Sequence, residues 1–162
     1  MTLAYIGIGS NIERHQHIQA AYQELKNVSH YLRCSSVYEC DPVGFDSHAF
    51  YNTVIEIDTS LSLLELQQSL KQIEFKWGRT ANAQKLQDRT LDLDILLFGD
   101  VVSENTPVVP RCDIFDYEFV LQPLCELNPQ LIIPNDGRSV EQVWEQFEHK
   151  GSLKRVEFEF RL

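Results

Sequence analysis

No run in this chain approaches about 18 consecutive apolar residues, so it offers no segment able to cross a bilayer as a helix. The start, Met1-Thr2-Leu3-Ala4-Tyr5-Ile6, lacks the basic segment and long apolar core of a secretion leader. A cytoplasmic location is therefore expected. No C-x-x-C spacing links Cys34, Cys40, Cys112 and Cys125, which are expected to be reduced thiols and not a disulfide framework. Positive charge is scarce as well: 14 Lys and Arg against 24 Asp and Glu leave a net charge of −10. Such a balance excludes a nucleic-acid binder, which needs a basic face. An anionic substrate would have to be gripped by a local cluster of Arg and Lys, and by metal, against the global field. Internal repeats and low-complexity stretches are absent too. Residues 1–162 read as one domain, acting as a monomer on small molecules, with no membrane or nucleic-acid partner.

What is present is an ordinary globular composition, 43% hydrophobic and 23% charged. The chain is organised around Arg89-Thr90-Leu91-Asp92-Leu93-Asp94-Ile95-Leu96-Leu97-Phe98, an apolar run closed by the turn signal Gly99-Asp100. It reads as a buried strand. Residues two apart in a strand share a face, so Asp92 and Asp94 point the same way, about 7 Å apart. Asp is depleted in strands, and two like charges in a half-buried place repel. Something cationic is expected between them, and a divalent cation or a pair of them is the usual answer. The competing reading is a strand end whose two carboxylates meet water, and D-x-D alone does not decide between the two.

Leu3 to Ile8 reads as a strand, followed by Gly9-Ser10-Asn11 and a helix carrying Ile18, Ala21, Tyr22 and Leu25 at helical spacing. His15 and His17 lie about 200° apart around that helix and are read as solvated surface. Tyr31 to Cys40 reads as one strand, closed by a loop that Pro42 and Gly44 punctuate. In a further strand, Phe50 to Asp58, alternation sets Thr53, Ile55 and Ile57 on one face and Phe50, Asn52, Val54 and Glu56 on the other. Ser62-Leu63-Leu64-Glu65 is a capping box, opening a helix with the stripe Leu63, Leu66, Leu70, Ile73 and Trp77, which Gly78 ends. The order is βαββαβ, that of a ferredoxin-like α+β fold with its helices on one face of an antiparallel sheet. Pro123 should break Tyr117–Leu127 into two helical pieces. Ser139 should open a helix, and Val156, Phe158, Phe160 and Leu162 should form a final edge strand.

Arg79 and Arg89 bracket an aperiodic polar stretch that also holds Lys85. A basic loop hinged beside a metal-binding strand suits a phosphorylated substrate: such transfer needs Mg²⁺, in-line positioning and cations on the transferring oxygens. A closing loop could deliver those arginines and exclude water. The plain alternative is a solvated charged loop.

Taken together, Ala4-Tyr5-Ile6-Gly7-Ile8-Gly9-Ser10-Asn11, Ser36-Val37-Tyr38, Phe50-Tyr51-Asn52, Ile73-Glu74, Gly78-Arg79, Arg89-Thr90-Leu91-Asp92-Leu93-Asp94 and Phe119-Val120-Leu121-Gln122-Pro123-Leu124 carry a resemblance. Over most of residues 3–134 the sequence resembles the 6-hydroxymethyl-7,8-dihydropterin pyrophosphokinase family of folate biosynthesis. The resemblance implies transfer of the β,γ-pyrophosphate of ATP to the pterin hydroxymethyl oxygen with release of AMP. It also implies a three-layered α/β/α version of the ferredoxin-like fold, two Mg²⁺ ions, and ATP as co-substrate. By the same resemblance, Asp92 and Asp94 are magnesium ligands and, with Arg79 and Arg89, the catalytic set. Asn52 reads the pterin edge, Phe50 and Phe119 sandwich the ring, and main-chain groups around Cys40, Pro42 and Val43 complete that pocket. Glu74, Arg79, Lys85, Arg89, Ile95 and Arg111 fall in the ATP site.

The sequence departs from the family pattern at Ala81, Leu86, Gln87, Asp88, Arg111, Cys112 and Tyr117. The family's usual Pro-His-Tyr is here Pro110-Arg111-Cys112, which keeps a cation whose charge is fixed where histidine's is not. These changes lie in nucleotide-handling loops and bear on rate and ATP affinity. They motivate two alternatives: a pterin- or nucleotide-binding paralogue without catalysis, and a pyrophosphokinase for another hydroxymethyl acceptor.

Overall fold

The computed structural model describes residues 1–45, 47–78 and 90–161. In chain order the elements are β1 (Thr2–Ser10), α1 (Arg14–Lys26), β2 (Tyr31–Cys34), β3 (Val37–Cys40), β4 (Phe50–Thr59), α2 (Leu63–Lys76), β5 (Asp92–Phe98), α3 (Asp113–Asp116), α4 (Glu118–Leu127), α5 (Val140–Gln146) and β6 (Lys154–Val156). The strands form one sheet in the order β5-β1-β4-β3-β6, with β2 also on β4, and every pairing is antiparallel.

Both faces of this sheet are covered. Ile18, Ala21 and Leu25 of α1 and Leu66, Leu70 and Ile73 of α2 pack on one side, against Ile55, Ile57, Leu93 and Ile95. Val120, Leu121, Leu124 and Leu127 of α4 and Val140 and Val143 of α5 pack on the other, against Val54, Leu96 and Leu97. The expectation of helices on one face holds for α1 and α2 only. The three-layered arrangement that the resemblance implied is the one observed. α2 carries the expected capping box, with Glu65 N–H donating to Ser62 Oγ at 3.1 Å and Ser62 N–H to Glu65 Oε1 at 2.9 Å.

Four local expectations need correction. The stretch Tyr31 to Cys40 is two strands. Ser35 N–H donates to Val54 O, and Ser35 Oγ accepts from Val54 N–H, both at 2.9 Å, so a hydroxyl stands in for a ladder carbonyl. Across this break the register against β4 advances by one residue: Cys34 lies opposite Ile55, but Tyr38 lies opposite Asn52. A one-residue bulge reverses faces. Cys34 packs towards the α1/α2 core, whereas Tyr38 and Cys40 turn to the other side. Second, α4 runs unbroken through Pro123. A mid-helix proline costs ~3 kcal/mol, but burying Val120, Leu121, Leu124 and Leu127 offsets it at ~1.5–3 kcal/mol each.

Third, the final strand is an edge strand but ends at Val156. The chain then leaves the sheet to lie against α1: Phe158 stacks on His15 at 4.4 Å, and Gln19 exchanges hydrogen bonds with the Arg161 main chain at 2.7 and 2.9 Å. Fourth, His17 is buried, its Nδ1 2.6 Å from Ile12 O and its ring edge-on to Trp77; His15 is exposed as expected, with one ring face stacked on Phe158. No described helix is long and apolar enough to cross a membrane.

Candidate active site

Above the β1/β5/β4 part of the sheet lies a cavity of about 390 Å³. Its floor follows from register. Gly9 stands opposite Asp92, and Gly7 opposite Asp94, so at the two positions beside the carboxylates β1 contributes no side chain. On the other flank of β1, Asn52 faces Gly9. Cys40, Val43, Phe50, Asn52, Glu74, Asp92, Asp94, Arg111 and Phe119 all line this one cavity. Nine of the expected site residues, drawn from β3, β4, α2, β5, α4 and two loops, thus come together.

The remaining ones do not join them. Arg79, Lys85 and Arg89, and the closure expected of their loop, fall outside the described residues. Pro42 is half-buried beside the cavity without lining it. Alternation along β5 turns the Ile95 side chain into the α1/α2 core, 3% exposed, so only its main chain is available to the cavity side of the sheet.

The electrostatics centre on β5. Burial, reinforced by the charge of Asp92 and opposed by Arg111, holds the Asp94 carboxyl up to about 7. The cation expected beside the pair is partly supplied by the chain itself: Arg111 Nη2 lies 3.6 Å from Asp94 Oδ1. Arg111 Nε is 3.1 Å from Asp113 Oδ2, close enough to pair charges but not aligned as a hydrogen bond. Burial works against the guanidinium's charge, yet Asp94 and Asp113 outweigh it and its pKa is raised. Glu74 Oε2 accepts the Leu93 main-chain N–H at 2.8 Å, which pins α2 to β5 midway between the two aspartates.

Among the described residues no cluster of three or more His, Cys, Asp or Glu side chains is arranged to hold a metal ion. A carboxylate pair nevertheless suits Mg²⁺, which keeps several waters and binds through one or two carboxylates plus substrate phosphates. Burial first, and the charge of Asp92 second, raise the Asp94 pKa against the opposing pull of Arg111; a cation bound at the pair would act in the same sense as Arg111 and favour the ionised form. Asp92 and Asp94 would be the ligands.

The aromatic walls are Phe50, edge-on to Phe45 at 6.3 Å, and Phe119, stacked on Tyr117 at 4.9 Å. Sequence reasoning missed Gln67 and Lys71, which line the cavity from α2 together with Glu74. Their spacing of four and three residues puts them on one helix face, and that was the available signal. Asp113 was also missed, and nothing local marks it; only its approach to Arg111 does.

Residues 5–129 match the family model for 7,8-dihydro-6-hydroxymethylpterin-pyrophosphokinase (HPPK). Among curated relatives, the 2-amino-4-hydroxy-6-hydroxymethyldihydropteridine pyrophosphokinase of Haemophilus influenzae is 36% identical over 155 residues, covering 93% of this chain and 96% of its own. The protein of the same name from Bacillus subtilis is 37% identical over 155 residues, covering 89% and 91%. Among solved structures, the crystal structure of Plasmodium falciparum HPPK-DHPS wild type with SDX-DHP superposes with a TM-score of 0.73 at 13% identity. That match covers 96% of this chain and 47% of the other, so this chain spans about half that protein's length, and the likeness shows the shared fold.

Proposed function

Because the chain belongs to the 7,8-dihydro-6-hydroxymethylpterin-pyrophosphokinase family, we propose that this cavity transfers the β,γ-pyrophosphate of ATP to 6-hydroxymethyl-7,8-dihydropterin. The acceptor's hydroxymethyl oxygen forms a bond to the β-phosphorus and loses its proton to solvent, the bond from that phosphorus to the α,β-bridging oxygen breaks, and AMP leaves with that oxygen. The observation that carries the reading is the convergence of Asp92 and Asp94 with Asn52, Phe50 and Phe119 on one cavity.

Little covalent chemistry is asked of the protein; the work is positioning and charge stabilisation. Phe50 and Phe119 supply faces for a flat ring, and the Asn52 carboxamide supplies both a donor and an acceptor to its edge. Glu74 holds β5 so that Asp92 and Asp94 stay presented to the cavity. Two Mg²⁺ ions on that pair would offset the charge of the phosphates and orient them. Arg111 and Lys71 face the same space and suit phosphate oxygens, and we assign Arg79, Lys85 and Arg89 to the same task by their place in the family pattern. Glu74 and the main chain at Ile95 would border the nucleotide, and the main chain at Cys40, Pro42 and Val43 the pterin. The protein would act as a single-domain monomer in the cytoplasm; two cores sharing one sheet support the single domain.

The aspartate pair and the relatives' names speak against a paralogue that only binds, and Asn52 with two flanking phenylalanines speaks against a different acceptor. Asp92→Ala and Asp94→Ala test the assignment. Each should lower AMP release from ATP plus pterin by about 10²–10³-fold, the scale of losing a principal electrostatic group, while the variant remains folded. Near-normal turnover in either would remove the metal role from that residue.

A further inference from the structure

Three strands converge on one carboxamide. Asn52 on β4 faces Gly9 on β1 in direct register. On its other side, the bulge at Ser35–Ser36 has turned β3 so that Cys40 shares the face of Asn52. Asn52 Nδ2 donates to Cys40 Sγ at 2.9 Å. Its Oδ1 lies over Gly9, where an added Cβ would sit only 3.0 Å from that oxygen. Asn52 is 6% exposed, so little water competes for these groups. Burial pushes the Cys40 thiol up to about 12, which keeps it a neutral thiol.

We propose that the Cys40 side chain, beyond any main-chain contact near it, is a positioning residue for pterin specificity: it selects the amide orientation of Asn52 before substrate arrives. This deepens the pyrophosphokinase reading of the cavity and rests on it. A carboxamide turned by 180° exchanges its donor and its acceptor. The 2-amino-4-oxo edge of a pterin presents donors and acceptors in a fixed order, so the wrong turn sets donor against donor. A neutral thiol can also donate weakly, so sulfur alone does not choose. Nδ2 donating to Cys40 Sγ together with Oδ1 seated over the bare Gly9 Cα, where a reversed amide would set its N–H groups against a Cα–H, favours one of the two orientations. The second N–H and the carbonyl lone pairs remain for a ligand. Because sulfur is a weak acceptor, the bias is worth several-fold in affinity and not orders of magnitude.

The test is fluorescence titration of oxidised 6-hydroxymethylpterin into nucleotide-free protein, run beside ATP binding and steady-state KM values. Cys40→Ala should weaken pterin binding about 5–10-fold, with ATP affinity and kcat within about twofold of wild type. Cys40→Ser restores an acceptor and should bring pterin binding back to within about twofold of wild type. On an Asn52→Ala background, Cys40→Ala should cost nothing further, since there is no amide left to orient. Unchanged pterin affinity in Cys40→Ala, no recovery in Cys40→Ser, or a parallel loss of ATP binding would each overturn the proposal. A wild-type protein that neither binds the pterin nor releases AMP would overturn the reading of the cavity itself.

Discussion

Asp94→Asn removes one negative charge from β5 while keeping the side chain's size. In the folded protein the Asp94 carboxyl keeps its proton up to about 7, because burial and Asp92 disfavour its charge. Unfolded, it would titrate near about 3.9. The folded state therefore binds more protons between those values, and stability falls as pH rises through that window. Three pH units at about 1.36 kcal/mol each give a ceiling of roughly 4 kcal/mol. The Asp94 side chain is 31% exposed, so solvent screening reduces that ceiling; we take about 1–2 kcal/mol. For a chain of this size that is a rise in Tm of roughly 2–8 °C at pH 8. Thermal melts with a chelator present should show the gain shrinking as pH falls from 8 towards 4. Added Mg²⁺ should raise the wild-type Tm and narrow the gap. An Asp94→Asn protein that melts at or below wild type at pH 8, or a gain insensitive to pH, would refute the electrostatic reasoning.

Arg111→Ala should weaken ATP binding by about 1–3 kcal/mol, the worth of a charged hydrogen bond, with pterin affinity unchanged in calorimetry. Since a guanidinium stays charged, wild-type ATP affinity should also lack an imidazole-like fall between about pH 6 and 8; such a fall would remove Arg111 from the phosphates. Burial pushes the Cys34 and Cys40 thiols up to about 12, so mass spectrometry after iodoacetamide at pH 8 should find the exposed Cys112 modified well before either. The same raised values mean that stability is fully present below about pH 8.5 and is lost as pH rises towards 12, by up to about 1.4 kcal/mol per pH unit for each thiol. Melts that stay level from pH 8.5 to 11 would contradict this.

Much of the fold was legible because its periodicity is strong. The alternation of β4 and the capping box of α2 survive intact from sequence to structure. What was hidden depends on partners distant in the chain. Nothing near Ser35 says that its hydroxyl will replace a ladder carbonyl, yet that exchange turns Cys40 towards Asn52. Pro123 reads as a breaker until the apolar face of α4 meets the sheet. His17 reads as surface until Trp77 arrives from the end of α2. In the site, the aspartate pair was visible because its chemistry is local to one strand. Lys71 and Gln67 were not, since a polar residue one turn from a buried stripe faces solvent unless a cavity lies there.

The central claim, pyrophosphoryl transfer at the Asp92/Asp94 cavity, is tested most directly by following ³¹P resonances of ATP incubated with the protein, Mg²⁺ and 6-hydroxymethyl-7,8-dihydropterin. The account predicts AMP and a pair of coupled diphosphate resonances from the pterin product, growing in equal amounts and absent without the pterin. Accumulation of ADP or orthophosphate in place of AMP, or ATP left intact, would contradict it.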